Sequence, residues 1–188
     1  AGAEAALANL PVGVSLRATG VYGPAGPGQR HKWAGLFEAF LRGDRIEPRR
    51  GTEVHGADLA AAVRVLLETP LDRLGARVFN VSDILLDRRD LLAEWAAITG
   101  HTARLPERAD HRTVNVMETE RLRALGWRPR GWAGLQAALA AEKAGKIAEA
   151  ELILEGMRRS RVEVSVVAGL VGLARLYAHA EVDRLEHV

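Results

Sequence analysis

Residues 19–26 carry the side chains and spacing of a loop that could hold a phosphate group. The run from Thr19 to Gly26 reads T-G-x-x-G-x-x-G and follows a predicted strand. Such glycines let backbone amides approach a pyrophosphate, provided that the last glycine lies in the first turn of a helix. Pro27 and Gly28 follow at once, and proline prevents a helix from continuing through this point. The sequence therefore predicts that this run is not the glycine fingerprint that holds the pyrophosphate of a dinucleotide.

Further candidate side chains lie between residues 49 and 58. Arg49 and Arg50 could hold a phosphate or carboxylate bidentately, and two solvated loop arginines are an equally good interpretation. We interpret His55 as a hydrogen-bonded structural histidine rather than an acid–base group, because the sequence names no partner for it. Asp58 stands just before an apolar helical run and is predicted to cap that helix.

Alternating strands and helices must position these residues. Residues 20–28 are predicted to be a loop, because four glycines and two prolines cannot hold a regular element. Strands are predicted at residues 12–17, 77–81 and 113–116, with a short irregular or β segment at 46–55. Helices are predicted at residues 1–10, 33–41, 59–67, 88–99 and 120–125, the last two capped by Asp87 and Thr119, and from residue 132 onward with breaks near Gly145 and at 160–164. This order indicates an α/β unit up to residue 141, followed by an all-helical tail.

Composition narrows the classes of function. The 188 residues include no cysteine, which excludes disulfides and thiolate metal sites and favours a reducing, cytoplasmic location. We expect no signal peptide, because residues 1–10 contain Glu4 and no basic region. We expect no membrane helix, because the most apolar stretch, residues 162–180, is interrupted by glycines and charges. Arginines alternate with acidic residues, which is typical of solvated faces rather than of a nucleic-acid-binding stripe.

Four segments together resemble the extended short-chain dehydrogenases, the NAD-dependent epimerase/dehydratase family. The segment L-R-A-T-G-V-Y-G-P at residues 16–24 is similar to the family's LRxxxVYGP, which lies between nicotinamide and substrate. Residues 53–60, E-V-H-G-A-D-L-A, resemble its VHVDDLA segment. F-N-V-S-D at 79–83 and L-G-W-R-P at 125–129 complete the series in family order. Gly20 stands where many nucleotide-sugar members have Asn, and Gly56-Ala57 replaces Val-Asp.

The resemblance implies a fold, a cofactor and a set of site residues. The fold would be the C-terminal fragment of a Rossmann-type enzyme, with a partial parallel sheet and a small substrate subdomain, using NAD or NADP. Ala18, Thr19 and Val21 would lie at the cofactor. The substrate, a nucleotide sugar or a similar small molecule, would contact Gly20, Tyr22, Arg49, Arg50 and His55.

The family's proton-exchanging Tyr-x-x-x-Lys is not in this sequence. Tyr22 and Tyr177 are followed four residues later by Gly26 and Glu181, and on the family alignment the lysine would lie just before Ala1. We therefore predict that residues 1–141 are a substrate-binding portion that is inactive alone. Its partner would be a missing N-terminal Rossmann half that carries the glycine fingerprint and the catalytic residues.

The tail offers an alternative function. Ala133-Gly134-Leu135 recurs 35 residues later as Ala168-Gly169-Leu170, and the stretch weakly resembles a pentatricopeptide repeat, an RNA-binding helical hairpin. Leu135 and Leu170 occupy the positions where that family reads a base with a polar side chain. We therefore favour a helical hairpin at residues 142–188 that extends the first domain or contacts a protein. RNA binding by a fused helical repeat remains the alternative, and an unselected chimera or truncated reading frame is a third.

Overall fold

A computed structural model describes residues 13–25, 29–110, 112 and 114–160 as a mixed α/β chain. Its elements, in chain order, are β1 (Ser15–Ala18), β2 (Gly20–Tyr22), α1 (Ala34–Arg42), β3 (Arg50–His55), α2 (Gly56–Glu68), a 3-10 turn (Leu71–Arg73), β4 (Val78–Val81), β5 (Ile84–Asp87), α3 (Arg88–Thr99), α4 (Glu120–Ala124) and α5 (Gly131–Ser160). The described residues form two compact units. The first takes residues 13–23, 49–87 and 109–135, and the second takes residues 24–48, 88–108 and 136–160. The helix predicted at 1–10 lies outside the described residues.

The first unit contains a pair of parallel strands, β1 and β4. Ser15 lies opposite Val78 and Ala18 opposite Val81, and the Thr19 amide donates to the Val81 carbonyl at 3.1 Å beyond the strand end. Parallel strands distant in sequence need a crossover connection, and here the chain between them includes β3 and α2. The pairing confirms the strands predicted at 12–17 and 77–81, whose apolar residues favour an extended, half-buried conformation.

A second sheet lies in the same unit and has the order β2-β3-β5. Strand β2 runs parallel to β3, and β5 runs antiparallel to β3. The prediction of a continuous loop at 20–28 was wrong for Gly20–Tyr22. Val21 and Tyr22 favour a strand, and β3 supplies backbone partners that local composition does not reveal. The glycine run is therefore partly a strand. The prediction that no helix grows through Gly26 lies outside the described residues.

The core of the first unit packs α2 and the turn before α5 against the strands. Its buried members are Val54, Ala62, Leu66, Leu74, Phe79, Val81, Leu122 and Trp127. Trp127 adds a directed contact, because its indole Nε1 donates to the Asp58 carbonyl at 2.8 Å. The strand predicted at 113–116 was wrong, since residues 114–116 have no regular structure. Thr119 precedes α4 as predicted but makes no capping bond; its hydroxyl accepts from Arg123 Nε instead.

The helix predicted at 59–67 is α2, which begins three residues earlier than expected. Its N-cap is His55, whose Nδ1 accepts from the Ala57 amide at 3.0 Å. The prediction that Asp58 caps this helix was wrong. Asp58 lies inside the first turn, where its carboxylate is buried and is used by residues far along the chain.

The second unit is held by aromatic side chains from α1 and α3. The rings of Phe37 and Trp95 are stacked at 4.3 Å, and His31 stacks on Phe37 at 5.9 Å. Helix α1 ends where Gly43 takes a left-handed conformation, with a φ of 78°. Glycine adopts this conformation without steric cost, which is why it often follows the last turn of a helix. The predicted helices at 33–41 and 88–99 are thereby confirmed.

Helix α5 runs without interruption from Gly131 to Ser160. The break predicted near Gly145 was wrong, because alanine, glutamate and lysine on both sides outweigh the cost of about 1 kcal/mol for one glycine. A two-helix repeat starting at residue 133 would require a turn within this stretch. The proposed boundary at 141–145 falls inside the helix, and the division into domains 1–141 and 142–188 stays a prediction. The second copy of the repeat lies outside the described residues.

Across the described ranges, no helix combines the length and apolar character needed to cross a bilayer.

Replacing a core side chain should cost far more stability than replacing an exposed one of similar chemistry. Phe79 is 1 % exposed. We expect Phe79→Ala to lower the free energy of unfolding by about 3–5 kcal/mol through lost burial and a cavity. Leu67 is 82 % exposed and provides the control. Leu67→Ala should change the free energy of unfolding by only about 0.5 kcal/mol or less. Urea denaturation of both variants measures the difference, and equal losses would contradict the placement of β4 in the core.

Candidate functional site

The carboxyl ends of the parallel strands β2 and β3 bring two predicted site residues together. Tyr22 ends β2, His55 ends β3, and the two residues are paired in the ladder. Their rings meet edge to face with centroids 5.2 Å apart. Helix α2 begins directly after His55, so its amino-terminal end lies at the same edge of the sheet. This end of the sheet is where ligands bind in open α/β folds.

Arg130 fixes His55 from a distant part of the chain. Its Nη2 lies 2.9 Å from His55 Nδ1, and a guanidinium can only donate. The Ala57 amide donates to the same nitrogen at 3.0 Å. Burial and then the Arg130 charge lower the pKa of His55 below 6.5, while Asp58 opposes the shift. The ring is therefore neutral at neutral pH.

Asp58 is the partner that orients Arg130. One carboxylate oxygen accepts from Arg130 Nε at 3.0 Å and the other from the Arg130 amide at 3.2 Å. The Asp58 side chain is 6 % exposed and the Arg130 side chain 47 %. A buried carboxylate requires such partners, because an unpaired buried charge is strongly destabilising. The bonds therefore join the first turn of α2 to the residue just before α5.

Asp83 binds the backbone amide of Gly131, the residue that follows Arg130. Its carboxylate accepts from the Gly131 amide at 2.8 Å, and Arg123 lies 3.9 Å from its other oxygen. Burial raises the pKa of Asp83, as does the Asp58 charge, whereas the Gly131 hydrogen bond and Arg123 lower it. Two carboxylates thus hold consecutive backbone amides at the start of α5.

Tyr22 is a buried phenol in a negative environment. Burial, followed by the charges of Asp83 and Asp58, raises its pKa to about 12, and Glu53 adds to this while Arg130 opposes it. The residue is 2 % exposed. Tyr22 therefore stays protonated at neutral pH and cannot serve as the low-pKa tyrosine that takes a proton in hydride chemistry.

The structure separates the other predicted site residues from Tyr22 and His55. Arg50 opens β3 and Arg49 precedes it. Because a strand rises by roughly 3.3 Å per residue, roughly 16 Å of strand separates Arg50 from His55. Arg49 is exposed, and Arg50 Nε is buried without a hydrogen-bond partner among the described residues. Their side chains therefore do not share the Tyr22–His55 site.

The residues predicted to lie at the cofactor, Ala18, Thr19 and Val21, lie where β1 ends and β2 begins. Ala18 ends β1, and the Thr19 hydroxyl lies 3.5 Å from the Val81 carbonyl, to which it donates. Val21 is 42 % exposed, and Gly20 begins β2. A dinucleotide site of the glycine-loop type needs a helix that starts at the loop. Residues 19–25 do not form such a glycine-loop site, because Gly20–Tyr22 is a strand and no helix starts within them.

Four residues that hold the site together were not predicted to do so from the sequence. They are Asp58, which was predicted only to cap a helix, and Asp83, Trp127 and Arg130. Three of them lie inside motif segments that were singled out for their resemblance, at residues 53–60, 79–83 and 125–129. The signal was therefore present, but sequence order alone cannot show which acidic residue pairs with which arginine.

A separate groove of about 660 Å³ opens beside β1 and β4. It is lined by Arg17, Val78, Asn80 and residues 118–122. None of the predicted site residues borders it. Among the described residues, no group of His, Asp or Glu side chains could hold a metal ion.

Comparison with known proteins supports this architecture. No protein-family model matches the sequence, and no match was found among curated proteins. Among solved structures, a GalE-like L-threonine dehydrogenase from Cupriavidus necator is 19 % identical with a TM-score of 0.51, covering 69 % of this chain and 47 % of that chain. L-Threonine dehydrogenase from Phytophthora infestans is 15 % identical with a TM-score of 0.52, covering 71 % and 48 %. UDP-glucose 4-epimerase from Thermotoga maritima is 22 % identical with a TM-score of 0.48, covering 69 % and 45 %.

The chain thus spans less than half the length of each of these solved structures. Of these three similarities, the two with TM-scores above 0.5 concern the fold and leave the reaction open. Over about two thirds of its length, the chain has the Rossmann-type fold of part of these L-threonine dehydrogenases.

Proposed function

We propose that the chain is the substrate-binding portion of an NAD- or NADP-dependent epimerase, dehydratase or reductase. The observation that carries the proposal is the Tyr22–His55 pair at the carboxyl ends of two parallel strands, held by Arg130 and Asp58. Ligands of open α/β sheets bind at this edge. A site whose side chains are fixed by buried hydrogen bonds is suited to orienting a substrate.

The predicted residues have different roles at the carboxyl ends of β2 and β3. Gly20, Tyr22 and His55 contact the substrate. Ala18, Thr19 and Val21 border the cofactor. Arg49 and Arg50 lie at the opposite end of β3, so they contact a substrate only if its charged group extends that far. This extended reach is consistent with a substrate as long as a nucleotide sugar.

The redox step belongs to residues outside this chain. Tyr22, with a pKa of about 12, cannot replace the proton-exchanging tyrosine, and the strand Gly20–Tyr22 cannot replace the glycine fingerprint. Both are supplied by a partner, an N-terminal Rossmann half. That half also provides the cofactor site that residues 19–25 lack.

The substrate is a molecule with a hydroxyl that is oxidised, or a carbonyl that is reduced. The structures with TM-scores above 0.5 are named as L-threonine dehydrogenases, and L-threonine carries a secondary hydroxyl. A nucleotide sugar carries several. L-Threonine and UDP-glucose are therefore the two ligands to test.

We expect the 188-residue chain to bind one of these ligands without turning over NAD or NADP. Isothermal titration calorimetry measures binding, and absorbance at the nicotinamide band measures turnover. Adding the polypeptide encoded immediately upstream should restore turnover, because it supplies the fingerprint and the Tyr-x-x-x-Lys segment. The same upstream polypeptide without this chain is the control.

Turnover by the chain alone would contradict the division of roles. Absence of binding to both ligands, or an upstream segment without those motifs, would refute the proposed function itself.

A further inference from the structure

The two ring nitrogens of His55 have different surroundings. Nδ1 receives two donors, the Ala57 amide and Arg130 Nη2, which share its single lone pair. A nitrogen that accepts hydrogen bonds carries no hydrogen, so in the neutral ring the hydrogen is on Nε2. The tautomer is thus set by the two contacts to Nδ1, on the side of the ring opposite Nε2.

The hydrogen on Nε2 has no acceptor among the described residues, although His55 is only 7 % exposed. This nitrogen faces Gly23. A Cβ atom placed on Gly23 would lie 3.5 Å from Nε2 and 3.8 Å from the Gly56 nitrogen. Gly23 has a φ of 150°. Residues other than glycine rarely adopt this backbone conformation, so no side chain occupies the niche between Gly23 and Nε2.

The space beside Nε2 suits an electron-rich oxygen atom. It adjoins the amino terminus of the 13-residue helix α2, which favours such an atom. The charges around the two rings oppose each other: Asp83 and Asp58 outweigh Arg130 at Tyr22, whereas Arg130 outweighs Asp58 at His55. A hydroxyl or carbonyl oxygen can accept the hydrogen of Nε2 without adding a further charge to this group.

We infer that His55 donates a hydrogen bond from Nε2 to a hydroxyl or carbonyl oxygen of the substrate, in the niche beside Gly23. This deepens the proposed function and rests on it. The Ala57 amide and Arg130 hold the ring from the opposite side and keep the donor in place.

Two substitutions separate this donor from the helix cap. Asparagine places its side-chain amide near the Nδ1 position, so His55→Asn keeps the acceptor for Ala57 and removes the donor. Glutamine reaches the Nε2 position, so His55→Gln keeps a donor. We expect His55→Asn to weaken binding of L-threonine or UDP-glucose by roughly two- to tenfold, the usual range for one hydrogen bond, and His55→Gln to recover part of it.

Matched ligands show whether an oxygen is recognised. L-2-Aminobutyrate lacks only the hydroxyl of L-threonine, whereas UDP lacks the whole glucose of UDP-glucose with its hydroxyls. The wild-type chain should prefer L-threonine to L-2-aminobutyrate, or UDP-glucose to UDP, and His55→Asn should lose that preference. Calorimetry gives the affinities, and circular dichroism confirms that each variant is folded.

The outcomes separate the two proposals. If the wild-type chain binds a ligand and His55→Asn weakens both members of its pair equally, or neither, the donor is overturned while the proposed function stands. If the wild-type chain binds neither L-threonine nor UDP-glucose, the proposed function fails, and the donor assignment fails with it because no ligand oxygen arrives.

The tautomer also predicts a pH dependence that needs no ligand. Protonation would place a hydrogen on Nδ1 against the Ala57 amide and Arg130, with Asp58 and Tyr22 as the other ionisable groups beside the ring. Because the folded pKa is lowered, the unfolded chain binds more protons as the pH falls through about 6.5, and stability declines. The melting temperature should therefore fall more between about pH 7.5 and 5.5 in the wild-type chain than in His55→Asn.

Asp83 and the titrating groups away from His55 are common to both proteins, so their contributions cancel in this comparison. Equal falls in melting temperature would show that protonation of His55 costs no stability, which would overturn the assigned tautomer.

Discussion

The paired bonds between Asp58 and Arg130 are the constraint on which the rest of the first unit depends. They join residues that are 72 positions apart. A carboxylate as buried as that of Asp58 is tolerated only with full hydrogen bonding, so the first turn of α2 and the start of α5 must arrive together. The indole of Trp127 adds a third bond to the same residue, through the Asp58 carbonyl. The hydrophobic core brings these segments near each other, and the polar contacts fix their register.

The same bonds give the candidate site its chemical character. Arg130 satisfies Asp58 and then reaches His55, so one guanidinium both neutralises a buried charge and selects a tautomer. Tyr22 lies beside this group but is kept protonated by burial and by the surrounding carboxylates. The site can therefore hold and orient a ligand through neutral donors, and among its described residues it has no group that would remove a proton from the ligand at neutral pH. Binding and redox chemistry fall to different parts of the proposed enzyme.

The elements that could be predicted from the sequence are those that local contacts define. The features that were missed depend on residues distant in the chain. The strands at 12–17 and 77–81 and the helices at 33–41 and 88–99 were predictable because apolar periodicity and glycine or proline at their ends define them. Strand β2 was missed, since a segment rich in glycine becomes a strand only when β3 is beside it. Asp58 was assigned to capping because its true partner, Arg130, is distant in sequence. Gly145 was expected to end a helix whose neighbouring residues all favour continuation.

The two units alternate along the chain, and this limits how the protein could have been assembled or can be dissected. The polypeptide passes from one unit to the other at residues 23, 48, 87, 108 and 135. No single cut yields either unit as a continuous piece, because each unit is built from three separated segments. A continuous fragment that keeps one unit whole must also carry two segments of the other, so any single cut between residues 23 and 135 divides at least one unit.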